Sequence, residues 1–333
     1  MIATLSPELT IRTAVFRKYG IHDDLKLDDV YKPEPEDDGV LIKVRAASIN
    51  DWDYDRLHGR SLISRFVFGL LKPRKQRLGC DVAGTVESVG SHANEFKPGD
   101  DVYGDLSIAG FGAFSEYVSV PQAALCRKPA GMSFEQAAAI PQAAVLAVQA
   151  LIDAGGLRDG YSVLINGAGG GVGTIGLQIA KQRDVEVTGV DSHDKLEPLR
   201  NLGFDQVIDY RQKDFTEAGE TYDLIVDVKT DRPTAHYLRS LNPNGTYVTV
   251  GGSMNRLFAV LVVGLAIRPF ARKSLRVVAL DANKHLGYMN ELFEAGKFEP
   301  VIDRVFNFSD LAAALDYYGS KKFVGKVLVA FDG

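Results

Sequence analysis

The chain has 333 residues and a mass of 36.3 kDa, with 46% hydrophobic and 24% charged residues, which suits two globular domains of about 100–200 residues each and excludes a disordered or fibrous protein. A net charge of −5 argues against a nucleic-acid partner, because the phosphates would be repelled. The two cysteines, Cys80 and Cys126, are too few for a disulfide framework. The N-terminal segment lacks the apolar core of a secretory signal, so we expect a cytoplasmic protein.

Residues 11–128 predict a β-rich domain. Runs of β-branched and aromatic residues are closed by Gly, Pro or Asp, as in TAVFRKYG, VLIKVRAASIN, DVAGTVESVG and AFSEYVSVP, which is typical of short strands joined by turns.

The pattern changes after Pro129, where apolar runs of strand length alternate with helical spacers. Such runs are typical of strands buried on both faces of a parallel sheet with right-handed crossovers. We therefore predict a doubly wound domain over 129–283. Two amphipathic helices, 284–298 and 309–320, and a last strand, GKVLVAF, follow, and we expect them to complete the first domain, which then comprises 1–128 and 284–333.

A glycine-rich turn joins the predicted strand SVLIN (162–166) to the predicted helix 171–182. Free amides at a helix N-terminus bind a pyrophosphate, and glycines let the phosphate approach the backbone. Ala168 stands where the usual dinucleotide fingerprint has its first glycine, while Gly170 and Gly173 match the other two. The turn therefore predicts a dinucleotide site formed by Ala168, Gly169, Gly170, Gly171, Val172 and Gly173.

The residues after the next strand bear on the choice of cofactor. Asp191 could accept the adenosine ribose hydroxyls and repel a 2′-phosphate, which favours NAD. Ser192, Lys195 and the Tyr210-Arg211 pair could instead surround that phosphate and favour NADP. The sequence leaves both cofactors open, with a solvated surface as the alternative role for the cations.

Longer stretches of the chain resemble a known family. The sequence resembles zinc-independent members of the medium-chain dehydrogenase/reductase superfamily, in the quinone oxidoreductase-like branch. The resemblance implies a GroES-like first domain, a Rossmann domain, an active site in the cleft between them, and a homodimer. The matching stretches are ASINDWDYDRLHG (47–59), LGCDVAGTVESVG (78–90), FKPGDDVYG (96–104), NGAGGGVGTIGLQIAK (166–181), LGFDQVIDY (202–210), VGGS (250–253) and GKFEPVIDRVF.

The resemblance also implies that zinc is absent. Where zinc-dependent relatives place their ligands, this chain has Asn50-Asp51, Cys80 and the region Pro141-Gln142-Ala143. A catalytic zinc needs three protein ligands such as thiolate or imidazole. We expect Cys80 to be a small buried residue, and we predict no metal site.

Without a Lewis acid, an electron-poor acceptor such as a quinone or an α,β-unsaturated carbonyl is the easiest hydride acceptor. The resemblance places Asn50 beside the nicotinamide. Tyr54 is a second catalytic candidate, with a structural role as its alternative, and Asp53 has a helix-capping alternative. Further candidates for contact with the cofactor are the strand-end residues Val250, Gly251 and Gly252, and the cation Lys326.

The apolar segment LFAVLVVGLAI (257–267) is too short to cross a bilayer, which takes about 20 residues. We consider four roles for it: a core helix, a dimer contact, a wall for a lipophilic acceptor, and a shallow contact with a membrane surface. Basic runs at 71–77 and 267–276 are compatible with each.

The sequence thus predicts an NAD(P)H-dependent oxidoreductase that transfers hydride to a small quinone or enone, with NADPH as the cofactor and NADH as the alternative. Two other functions stay open. One is an alcohol dehydrogenase acting on a small or lipophilic alcohol, and the other is a dinucleotide-binding sensor without turnover.

Overall fold

The structure is a computed structural model that describes residues 10–20, 25–59, 65, 69–74, 76–267 and 272–332. The chain divides into two compact units. Unit 1 comprises Met1–Gln142, Ala282–Asn290 and Ile302–Gly333, and unit 2 comprises Ala143–Asp281 and Glu291–Val301. The β-rich first unit and the parallel sheet of the second confirm the predicted α/β fold class. The domain boundaries given above stay a prediction.

The strands of the described residues are as follows: β1 (Thr10–Phe16), β2 (Leu25–Tyr31), β3 (Gly39–Ser48), β4 (Asp81–Val89), β5 (Asp101–Asp105), β6 (Tyr117–Pro121), β7 (Cys126–Arg127), β8 (Ser162–Asn166), β9 (Glu186–Asp191), β10 (Gln206–Asp209), β11 (Tyr222–Asp227), β12 (Leu241–Thr249), β13 (Ser274–Val277), β14 (Ile302–Asn307) and β15 (Lys326–Ala330).

The α-helices of the described residues are α1 (Asp51–His58), α2 (Phe134–Ala138), α3 (Pro141–Val148), α4 (Gly171–Ala180), α5 (Leu196–Leu202), α6 (Thr234–Arg239), α7 (Met254–Ile267), α8 (Leu286–Glu294) and α9 (Leu311–Gly319). A π-helical turn, Gln149–Ala154, continues α3. None of these helices is both long and apolar enough to traverse a bilayer.

Unit 1 contains a seven-stranded sheet in the order β14-β15-β3-β4-β5-β7, with β6 paired to β3, and a separate β1-β2 hairpin. The register of the central strands places Ser48 opposite Asp81 on one side and opposite Leu328 on the other. Ser48, the last residue of β3, therefore meets the first residue of β4 and the middle of β15.

Unit 2 contains a six-stranded sheet in the order β10-β9-β8-β11-β12-β13, and each neighbouring pair is parallel. Numbered within the unit, this is the 3-2-1-4-5-6 order of a doubly wound fold. The strand order reverses between β8 and β11. Ligands of such sheets bind at the carboxyl ends of the strands beside this switch point.

The core explains why the apolar runs become strands. Val163, Leu164 and Ile165 of β8 are at most 1% exposed, because β8 is covered on both faces as its continuous apolar pattern predicts. The alanine-rich stretch 134–148 forms two helices, α2 and α3, and α3 begins at Pro141. A proline is tolerated there because the first turn of a helix leaves its amide without an intrahelical acceptor.

Candidate functional site

The glycine-rich turn lies between β8 and α4, at the switch point of the unit 2 sheet. Gly167 has a φ of 88°, a left-handed conformation that favours glycine. Its amide and that of Ala168 donate to the carbonyl of Val190, at 2.9 and 3.1 Å. The turn is thereby fixed to β9, and α4 starts beside the ends of two strands.

Two glycines of the turn are glycine for different reasons. A Cβ on Gly173 would collide with the carbonyl group of Ala168, so Gly173 allows the helix to pack on the turn. A Cβ on Gly170 would meet only the Gly167 carbonyl oxygen, at 3.6 Å. Space therefore remains over Gly170, beside the first amides of α4. These features fit a bound pyrophosphate, which needs close approach and free helix N-terminal donors.

Asp191, at the end of β9, closes the turn. Its carboxylate accepts hydrogen bonds from the amides of Gly169 and Ser192, each at 2.8 Å. The ammonium of Lys195 lies 3.8 Å from the same carboxylate, and Lys195 is 7% exposed. A Cβ on Gly169 would come within 3.0 Å of Asp191. Asp191 therefore shapes the turn as well as standing where a ribose would be recognised.

The parallel pairing of β9 and β10 places Asp209 opposite Asp191. The Tyr210 amide donates to the Asp191 carbonyl at 3.2 Å, and the Tyr210 side chain is 44% exposed. The Arg211 guanidinium lies 5.6 Å from the Tyr210 ring centroid. The structure thus gathers the predicted residues Asp191, Ser192, Lys195 and Tyr210 at one end of the sheet.

The predicted strand-end residues follow β12 on the other side of the switch point. The Val250 amide donates to the Asp227 carbonyl at 3.0 Å, and the Thr230 amide donates to the Gly251 carbonyl at 3.4 Å. Gly252 has a φ of 138°, and a Cβ there would lie 2.7 Å from that of Thr230. The backbone of Val250, Gly251 and Gly252 is therefore held at the carboxyl ends of β11 and β12.

A buried carboxylate at this edge was not among the predicted residues. Asp227 ends β11 with no exposed surface, and it accepts from Asn166 at 2.7 Å, Tyr247 at 2.7 Å and the Lys229 amide at 2.8 Å. Burial raises its pKa, although these hydrogen bonds act in the opposite direction. An acidic residue that ends an apolar strand run, as in DLIVDV, is the sequence signal for it.

Unit 1 contains a second group of buried polar residues, the Asn50–Asp81–Lys326 array. The Asn50 side chain donates from Nδ2 to Asp81 at 3.0 Å and accepts from the Lys326 ammonium at 2.6 Å. Lys326 also lies 3.3 Å from Asp81. All three residues are at most 6% exposed, and the two charges fix which way the amide of Asn50 points.

Two neighbours complete the hydrogen bonding of Asp81. The Ser48 hydroxyl donates to it at 2.9 Å, and the Gln142 amide donates at 3.0 Å. Asp81 therefore accepts four hydrogen bonds while it has no exposed surface. A buried carboxylate is tolerated when it is paired and bonded in this way.

Asp53 caps α1 from within. It accepts hydrogen bonds from the Asn50 amide at 3.0 Å and from the Gly79 amide at 2.8 Å. These are the contacts expected if Asp53 caps the helix. Burial raises the pKa of Asp53 to about 6, against the lowering effect of those two amides.

Burial raises the pKa of two further groups near Asp81. Burial, together with the Asp81 charge, raises the pKa of Asp105 to about 7. Burial also raises the pKa of the Cys80 thiol well above its ordinary value, and the nearby Asp53, Asp105 and Asp81 charges add to the rise. Cys80 has no exposed surface, and its thiol lies 3.4 Å from Asp53, as expected for a small buried residue.

The residues that the family resemblance places at zinc-ligand positions do not offer the donor groups that zinc requires. Asn50 is held by an ammonium and a carboxylate, Cys80 is a thiol that resists ionisation, and Gln142 contributes a backbone amide to Asp81. A zinc ligand must be a thiolate, a neutral imidazole or a carboxylate. Across the described ranges, no cluster of three or more His, Cys, Asp or Glu side chains could hold a metal ion.

Tyr54 packs inside unit 1. Its ring lies 4.1 Å from that of His58 and 5.9 Å from that of Tyr318, centroid to centroid. A Cβ on Gly319 would lie 2.5 Å from the Tyr54 hydroxyl oxygen, and Tyr54 is 9% exposed within the main apolar core. These contacts are the ones expected if Tyr54 has a structural role. A catalytic role for Tyr54 stays a prediction.

Two family models match this chain, and proteins of known activity are about one-third identical to it. Residues 36–130 match the alcohol dehydrogenase GroES-like domain, and residues 202–329 match the family described as zinc-binding dehydrogenase. The chain is 33% identical to the 2-methylene-furan-3-one reductase of Solanum lycopersicum, over 94% of this chain and 77% of that protein. It is 32% identical to the chloroplastic NADPH-dependent alkenal/one oxidoreductase of Arabidopsis thaliana, over 95% of this chain and 78% of that protein.

Among solved structures, the quinone oxidoreductase from Coxiella burnetii superimposes with a TM-score of 0.86. The two sequences are 28% identical, and the match covers 96% of this chain and 99% of that one. The predicted family is confirmed by these relatives. The chain is an oxidoreductase that uses a nicotinamide cofactor, and it belongs to the medium-chain dehydrogenase/reductase superfamily, in its quinone oxidoreductase-like branch.

Proposed function

We propose that this protein reduces a quinone or the double bond of an α,β-unsaturated carbonyl, with NADPH as the cofactor and without zinc. The observation that carries the proposal is the Asn50–Asp81–Lys326 array. It provides an oriented amide, Asn50, at a position where the resemblance places a ligand in zinc-dependent relatives, and a buried cation, Lys326, beside that amide. The relatives, which include a 2-methylene-furan-3-one reductase and an NADPH-dependent alkenal/one oxidoreductase, support the same substrate class.

The array suits an acceptor that gains negative charge on oxygen. The Nδ2 group of Asn50 has two hydrogens, and one of them donates to Asp81. The second hydrogen can donate to the acceptor's oxygen, where the developing charge is stabilised by an oriented donor. Lys326 acts as a positioning residue, because its bond to Oδ1 holds the donating end of the amide in place.

Quinones and enones do not require a Lewis acid, since both are already electron-poor. When bound, the reduced nicotinamide supplies the hydride. The residues Ala168, Gly169, Gly170, Gly171, Val172 and Gly173 would hold the pyrophosphate. Val250, Gly251 and Gly252 would border the nicotinamide, since they lie at strand carboxyl ends.

NADPH is the proposed cofactor over NADH because Asp191 is already engaged. Its carboxylate is bonded to two amides and stands beside Lys195, so its charge is partly balanced. Lys195, Ser192 and the Tyr210-Arg211 pair present cationic and hydrogen-bonding groups that would receive a 2′-phosphate.

The decisive experiment follows oxidation of NADPH and NADH by EDTA-treated protein against a panel of quinones and enones. We expect turnover that survives the chelator and is faster with NADPH. Asn50→Ala should lower kcat at unchanged cofactor affinity, whereas Asn201→Ala, on the exposed surface of α5, should change neither. Activity that requires added zinc would contradict the proposal and favour an alcohol dehydrogenase. Tight cofactor binding without any turnover would favour a sensor protein.

We also propose a cytoplasmic homodimer, as the family resemblance implies. Sedimentation velocity would test the dimer, and subcellular fractionation would test the location.

A further inference from the structure

Helix α7 exposes an apolar stripe. The exposed residues follow the helical repeat at i, i+4, i+7, i+8 and i+11, and so share one face. The stripe is about 17 Å long at 1.5 Å per residue. Its members are Met254 (47% exposed), Phe258 (67%), Leu261 (48%), Val262 (46%) and Leu265 (62%).

The opposite face of α7 is anchored in unit 2. Val260 is 1% exposed in the core cluster, and Val263 and Ile267 pack against that cluster. A Cβ on Gly264 would lie 2.7 Å from the Leu275 carbonyl oxygen of β13. The helix is thus apolar on both faces, and a role as a core helix explains only the buried face. Among the described residues, no element covers the exposed stripe.

The chain around this stripe is basic. No Asp or Glu occurs between Asp231 and Asp281, while the same stretch contains seven Lys and Arg residues. This contrasts with the net charge of −5 of the whole chain. Arg239, Arg272 and Arg276 are exposed, and none of them forms a salt bridge with a described carboxylate. Residues 268–271, which belong to the basic run 267–276, lie outside the described residues.

An apolar stripe within an acid-free, cation-rich stretch complements an anionic lipid surface. The apolar side chains gain by leaving water for the acyl boundary, and the arginines gain by approaching the lipid phosphates. A second copy meeting the same face about a twofold axis would bring these exposed cations together. We propose that the exposed face of α7 binds unit 2 to the surface of an anionic membrane, without crossing the bilayer.

The test is flotation of the full-length protein with vesicles. The two vesicle types are phosphatidylcholine alone and phosphatidylcholine mixed with phosphatidylglycerol. We expect the protein to float with the mixed vesicles and at least about tenfold less with phosphatidylcholine alone. Equal flotation with both, or none with either, would overturn the proposal.

Paired variants identify the surface. Phe258→Ser combined with Leu265→Ser should lower partitioning to mixed vesicles by about tenfold or more, since two large apolar side chains are lost from the contact. The matched control is Tyr31→Ser combined with Ile108→Ser, because these side chains are 64% and 74% exposed in unit 1, and it should float as the unaltered protein does. An equal loss in both pairs would contradict the assignment.

A charge variant and a hydrodynamic measurement separate lipid from a second copy. Arg272→Gln with Arg276→Gln should reduce flotation several-fold on mixed vesicles only. The Phe258/Leu265 variant should keep the sedimentation coefficient and circular dichroism spectrum of the unaltered protein. A change from dimer to monomer in that variant, with vesicle binding unaffected, would assign the stripe to a second copy and overturn the proposal.

Discussion

The two polar sites of this protein are built in opposite ways. In unit 1, Asn50, Asp81 and Lys326 satisfy one another, and each is almost fully buried. In unit 2, the glycine-rich turn is fixed by backbone bonds to β9, while the first amides of α4 and the space over Gly170 are left to a ligand. The side chains of the unit 1 site therefore satisfy their own hydrogen bonds. The backbone amides of the unit 2 site need a ligand to accept theirs.

The array of unit 1 should give the largest response to substitution. Lys326→Met leaves Asp81 charged and buried without its cation, so we expect the free energy of unfolding to fall by about 3–5 kcal/mol. Urea denaturation measures the effect. Lys321→Met is the matched control, because its 2.9 Å ion pair with Asp51 is about half exposed and should contribute less than about 1 kcal/mol. Similar losses in both variants would show that the buried array contributes no more to stability than an exposed ion pair.

Asp105 should make the stability of unit 1 depend on pH. Its pKa is raised to about 7 from 3.8, so the folded state retains a proton that the unfolded state releases over that interval. Its contribution to stability is therefore greatest below pH 4 and is lost as the pH rises towards 7. Asp105→Asn should stabilise the protein at pH 8 by on the order of a few kcal/mol and flatten the profile between pH 4 and 7.

Thermal melts across this pH range, with both proteins in one buffer series, measure the Asp105 effect. The difference between the two proteins is the informative quantity, since other carboxylates titrate in both. A variant whose melting temperature runs parallel to that of the unaltered protein at every pH would refute the assigned shift.

The backbone site should lose its ligand without losing its fold. Gly170→Val places a side chain in the open space over the turn, and we expect dinucleotide affinity to fall about 100-fold while the melting temperature holds. Isothermal titration with NADPH measures the change. Gly176→Ala adds a methyl group in the same helix, 3.4 Å from the nearest side-chain atom, and should bind normally. Normal binding by Gly170→Val would mean that the pyrophosphate lies elsewhere.

The smallest expected effect concerns the cofactor's second phosphate. Lys195→Ala should raise the KM for NADPH by about tenfold and change that for NADH little, because only NADPH offers a charge to the ammonium. Lys213→Ala is the control, since Lys213 forms an exposed ion pair with Glu220 in the same unit. Equal effects on both cofactors would make Lys195 a structural partner of Asp191 alone.

The contrast between a backbone site and a side-chain site also explains which features can be predicted from the sequence. The strands β8 to β12 and the turn before α4 follow from apolar runs and glycine spacing, since backbone requirements restrict which residues can stand there. Helix limits are harder to predict: a 3₁₀ turn at His193–Lys195 directly precedes α5.

Side-chain networks were harder to predict, because they depend on tertiary register. Asp81 and Lys326 are far apart in the chain, and only the pairing of β3 with β4 and β15 brings them together. Asp227 was missed for the same reason, since its partners Asn166 and Tyr247 lie on two different strands. The sequence identifies 257–267 as an apolar segment, but which of its side chains are exposed follows only from the structure.

The hydrogen bond from the Gly169 amide to Asp191 has a consequence for protein engineering. Designers who wish to reverse cofactor preference commonly exchange the acidic residue after the second strand. Here the same carboxylate maintains the shape of the turn that would receive the pyrophosphate, so specificity and affinity are coupled through one residue. A redesign that keeps Asp191 and varies Lys195 or Ser192 would avoid that trade-off.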